Sequence, residues 1–147
     1  MTRFAVLAGL DLHPASAAAV RHAADLAEQL GAHLYVVHVV HLEDTPEDPD
    51  TADWDERIAQ AAGAQEAAAA QLLSGRSISW SYESCHGDPA AMLADFARRH
   101  EVALVVVGAT GGNVTRRLME GGSVPHRLLR AGVPVLVVPP AAQASGG

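Results

Sequence analysis

Apolar and polar positions along the chain alternate between two rhythms. Phe4 to Ala8 is a short apolar run and reads as a first strand. Pro14 to Leu30 repeats with helical spacing, placing Ala17, Val20, Ala24 and Ala27 on one face and stopping at Gly31. His33 to Val40 is rich in β-branched residues and reads as a second strand. An acidic stretch from Glu43 to Asp53, broken by Pro46 and Pro49, reads as a loop. Asp55 to Leu73 is alanine-rich and predicts a helix despite Gly63. Ser77 to Glu83 sets Ile78, Trp80 and Tyr82 between polar residues, the period of a half-exposed edge strand. Asp88-Pro89 is a cap followed by proline at the first helical position. The helix it opens runs to His100 and buries Met92, Leu93 and Phe96. Val102 to Val107 is a wholly apolar fourth strand. Val124 to Arg130 is a helix ended near Gly132, and Val133 to Val138 is a fifth strand closed by Pro139-Pro140.

Strands alternating with helices imply an α/β fold: an open parallel five-stranded sheet with helices on both faces. The expected strand order is 3-2-1-4-5. In that order the chain reverses direction between strands one and four, and such sheets bind ligands in the crevice at the carboxyl ends of the strands there. Strand one runs out at Gly9-Leu10-Asp11 and strand four at Gly108. The topology therefore brings Asp11 to the same mouth as the glycine-rich stretch GATGGNVTRRLMEGGSVP, Gly108 to Pro125. Glycines there let the backbone approach a ligand closely, and Ser123 can cap the next helix. An anion, most often a phosphate, suits such a place.

Composition narrows the chemistry. The 147 residues make one domain over 1–140, with a small polar tail, 141–147, expected to be disordered. The core should be Val, Leu and Ala. All ten basic residues are arginines, so neither a lysine-bearing phosphate loop nor a Schiff-base lysine exists. Phosphate must be held by backbone amides, hydroxyls, or Arg116, Arg117 or Arg127. A net charge of −7 argues against nucleic acid as partner. The single cysteine, Cys85, excludes an internal disulfide and any CxxC motif, which fits a reducing cytoplasm. No apolar run approaches a membrane span, and no signal segment is evident. His38 and His41 point to opposite faces of a strand, so one should be packed and the other solvated. His126 is expected to be exposed. Cys85-His86 lacks a third member, and the acidic loop lacks calcium-loop order; neither suggests catalysis or a metal site.

The pieces VLAGLDLHPAS, LYVVHVV, HGDPAAMLADFARRHEVALVVVGATG and GVPVLVVPP resemble the universal stress protein family along nearly the whole chain. Its nucleotide-binding branch carries Gly-x2-Gly-x9-Gly-Ser/Thr. Gly108-x2-Gly111 resembles the first half and Gly122-Ser123 the second, with ten residues between Gly111 and Gly122 rather than nine. Alternatively Gly112-x9-Gly122-Ser123 keeps the spacing and Ala109 replaces the first glycine.

The resemblance implies ATP, ADP or AMP in the crevice, with Mg²⁺, if present, held through the phosphates. By position, Gly9, Leu10, Asp11 and Val39 would line adenine and ribose. Val107, Gly108, Ala109, Gly111 and Gly112 would pass beneath sugar and phosphates. Gly122, Ser123 and Val124 would contact the phosphates. The family also implies a homodimer through Val133 to Val138, and an apolar unpaired edge points the same way. The expected function is a stress-response regulatory protein that binds nucleotide with little or no hydrolysis. The alternatives are a nucleotide-free protein-interaction homodimer and an ATP-hydrolysing or adenylyl-transferring enzyme.

Overall fold

The computed structural model describes residues 4–10, 15–40, 54–109 and 123–139. In chain order the elements are β1 (Ala5–Leu10), α1 (Ala15–Leu30), β2 (His33–Val40), α2 (Trp54–Leu72), β3 (Trp80–His86), α3 (Pro89–Arg99), β4 (Leu104–Gly108), α4 (Val124–Arg130) and β5 (Val135–Val138). The strands form one sheet in the order β3-β2-β1-β4-β5, and every pairing is parallel. The expected α/β architecture and strand order are both observed.

Strand periodicity divides the core in two. Val6, Ala8, Leu10, Leu34 and Val36 face α1 and α2, where the small face of α1 (Ala19, Val20, Ala23, Ala24, Ala27) lets helix and sheet approach closely. Leu7, Val37, Val39, Val105 and Val107 face α3 and α4 and meet Leu93, Phe96 and Leu128. Right-handed crossovers explain the division: the sheet grows outward from β1 through β2 to β3, then returns across β1 to β4, and reversed travel puts later helices on the opposite face.

Four strand boundaries differ from the sequence reading, each for a local reason. β1 runs on through Leu10 because its register with β2 continues to Leu10↔His38. Phe4 stays outside the strand, 53% exposed. β3 begins three residues late, at Trp80. Its register with β2 starts at Leu34↔Trp80 and continues to Val40↔His86. His33 fixes that start: one ring nitrogen bonds the Ser79 hydroxyl, the other the Ser81 hydroxyl at 2.9 Å. β4 begins at Leu104 because Val102 N still donates to Ala97 O of α3, at 2.9 Å. β5 begins at Val135 because Val133 N closes α4 on Leu128 O, at 3.0 Å, and Pro134 has no N–H to give. Both proposed caps hold: Asp88 accepts from Ala91 N at 3.0 Å, and Ser123 accepts from His126 N at 3.3 Å.

Candidate functional site

The candidate crevice lies where β1 and β4 pair and the helices that come after them, α1 and α4, pack on opposite faces of the sheet. Ala8 pairs with Val106, so Gly9 and Val107 are the next step toward the carboxyl end. Gly9 points to the α3 face, as Leu7 does two residues earlier. A Cβ placed on Gly9 would stand 3.4 Å from Leu93 Cδ1 and 3.4 Å from Val107 Cγ1. The glycine thus leaves a one-methyl gap in the floor, walled by Leu93 and Val107. Val39 belongs to the same face, two residues past Val37, the partner of Gly9 in β2. Leu10 does not: its side chain is buried on the α1 face, so only its backbone is at the mouth. Gly108 ends β4, and buried Ala109 donates its amide to Val138 O at 2.9 Å, tying the exit of β4 to β5. Ser123 and Val124 open α4 beside the same core face. Asp11, Gly111, Gly112 and Gly122 lie outside the described residues, as do Arg116, Arg117 and His41.

Two residues of α3, Met92 and Leu93, read from the sequence only as buried helix positions, pack in the cluster that holds Val39 and Val107. Gly87 has φ +142°, and a Cβ there would lie 3.1 Å from Met92 Cγ. Met92 is half-buried against the cluster that holds Leu93 and Val107. Helical spacing marked Met92 and Leu93 as inward-facing. The place of Leu93 beside Gly9 depends on the strand order, which no local pattern encodes.

The remaining candidates resolve as follows. His38 is buried, with Nδ1 3.3 Å from the Tyr82 hydroxyl. Burial pushes the Tyr82 phenol up, and Glu66 adds to the effect. His126, expected to be exposed, is half-buried in the first turn of α4, because that turn leans on the α3 face. Cys85 and His86 point to opposite faces of β3. Burial pushes the Cys85 thiol up, Glu83 adds to this, and Arg99 opposes it. A thiol held protonated is a poor nucleophile. Arg127, one of three arginines offered for phosphate, is engaged elsewhere: both of its terminal nitrogens bond the Asp88 carboxylate, at 2.8 and 2.5 Å. Among the described residues no group of three His, Cys, Asp or Glu side chains is placed to hold a metal ion, and no helix is long and apolar enough to cross a membrane.

The sequence model of the universal stress protein family matches residues 3–139. A universal stress protein of Methanocaldococcus jannaschii is 27% identical over 124 residues, covering 82% of this chain and 72% of the relative. Among solved structures, a universal stress protein of Archaeoglobus fulgidus in complex with dAMP superposes with a TM-score of 0.63 at 21% identity, covering 93% of this chain and 98% of that one. A universal stress protein in complex with cAMP superposes with a TM-score of 0.66 at 22% identity, covering 94% and 98%. At that identity the likeness to the solved structures is one of fold.

Proposed function

The chain belongs to the universal stress protein family, and on that footing we propose that it binds an adenine nucleotide at the β1/β4 crevice and acts as a stress-response regulator with little or no hydrolysis. The observation that carries this reading is the gap at Gly9, at a topological switch point, between Leu93 and Val107. Adenine and ribose would lie over Gly9, Leu10, Asp11 and Val39. The phosphates would run along Val107, Gly108, Ala109, Gly111 and Gly112 toward Gly122, Ser123 and Val124. A hydroxyl that accepts one bond, as Ser123 does from His126 N, keeps its own proton to donate to a phosphate oxygen. Relatives of the same fold in complex with cAMP and dAMP support an adenine ligand. Mg²⁺ would come with ATP, bound to its phosphates rather than to a carboxylate cage.

Mass spectrometry of small molecules released from freshly purified, denatured protein tests the reading, together with calorimetric titration of ATP, ADP and AMP. An adenine nucleotide in the released fraction, or saturable heat, is expected. No released nucleotide, no heat and no change in melting temperature at millimolar nucleotide overturns it.

A second reading, a homodimer that binds no nucleotide, draws on the outer edge of the sheet. β5 is an unpaired edge strand of four residues, with Leu136 36% exposed and Leu129 of α4 59% exposed. The ten-residue spacer in the glycine stretch favours the same reading. Joining two copies through 133–138 is compatible with either function, so ligand content, not assembly, separates them.

A further inference from the structure

The Asp88 carboxylate has two tasks. Its Oδ2 accepts from Ala91 N and caps α3. The same group receives a two-pronged contact from Arg127, Nη1 on Oδ1 and Nη2 on Oδ2. The partners are 39 positions apart and join α3 to α4. Helix α4 has seven residues, and Leu128 is its one fully buried side chain. Its apolar contacts, Leu128 and the half-buried Val124, are non-directional: they fix how deep the helix sits more than its slide or rotation. A planar guanidinium against a carboxylate fixes distance and angle together, which a lysine would not. Arg127 N also donates to Ser123 O at 3.0 Å, so one helical turn ties this contact to Ser123. On the other side, α3 carries Met92 and Leu93 into the crevice wall.

We propose that Asp88 and Arg127 form the positioning pair of the site: they set where Ser123 stands relative to α3, and so set the preference for phosphorylated ligands over bare nucleosides. The proposal deepens the nucleotide reading and rests on it. Arg127 acts through Asp88 and touches no ligand. Asp88→Ser keeps an N-cap and removes the carboxylate. Arg127→Met keeps the apolar stem and removes the guanidinium.

The test is calorimetric titration of ATP and of adenosine into the wild type, both single variants and the double variant, with amide hydrogen exchange of the ligand-free proteins alongside. Each single variant should weaken ATP about fivefold, and the double variant should do no worse than the weaker single, because the pair acts as a unit. Adenosine affinity should hold, and amides of 126–129 should exchange faster in both single variants. Loss of ATP affinity in Arg127→Met but not in Asp88→Ser would show direct phosphate contact and overturn the proposal. Equal loss of ATP and adenosine, or no loss of either, overturns it too. A wild type that binds neither ligand rejects the nucleotide reading itself. The helix-positioning part then stands or falls on the exchange data, an unchanged rate rejecting it.

Discussion

Gly9 is the residue on which the proposed adenine site depends most directly, since a side chain there would occupy the space between Leu93 and Val107. Its surroundings leave a Cβ at ordinary contact distance from Leu93 and Val107. Gly9→Ala should therefore fold with stability within about 1 kcal/mol of the parent. Nucleotide affinity should fall about tenfold, the weight of a steric misfit of ~1–3 kcal/mol. Urea melts and calorimetry together check both halves; an unchanged ATP affinity would remove Gly9 from the site. Gly87 behaves differently. At φ +142°, with Met92 3.1 Å from a built Cβ, Gly87→Ala is strained whatever gives way. It should cost about 1–3 kcal/mol in a denaturant melt. Cys85 offers a test of protonation. Because burial raises its pKa, the folded thiol keeps its proton to higher pH than the unfolded one. Stability is thus unaffected below the unfolded thiol's pKa and declines as pH rises from there through the folded value. At neutral pH, iodoacetamide should modify the native protein more slowly than the urea-unfolded chain. Equal rates would show that the fold does not shield the thiol.

At the scale of elements, α4 is the piece most dependent on tertiary support. Seven residues are too few for an isolated helix. Leu128→Ala should cost about 2–5 kcal/mol, as cavities left by buried leucines do. It should also raise amide exchange in α4 ahead of β1. β5 carries the proposed assembly: Leu136→Arg should turn a dimer into a monomer in analytical ultracentrifugation, and an unchanged mass would remove this edge as the interface. The ease with which each element could be read from sequence follows from its punctuation. β2 matches its β-branched run, His33 to Val40, and α4 matches the span between Ser123 and Gly132. β3 could not be placed so well, because alternation of period two fits several registers equally; the choice among them is made by His33 reaching Ser79 and Ser81 across the strand boundary. The ends of β1 and β4 at Gly9-Leu10 and Gly108 were legible because their apolar runs stop there. The Asp88–Arg127 contact was not. It joins two ordinary helix-end residues, and only the folded sheet makes them neighbours.

Across the whole molecule, β1 is the central strand of the five. β1 is paired on both sides, with β2 and β4, and its residues are buried against helices on both faces. Amides so placed exchange only when the entire domain opens. The proposed ligand would rest on the last residues of this strand, so its occupancy and global unfolding would be linked. Binding at 100 times Kd should add ~2.7 kcal/mol to unfolding. Survival of the chain under heat or proteolysis would then rise with the concentration of the ligand it holds.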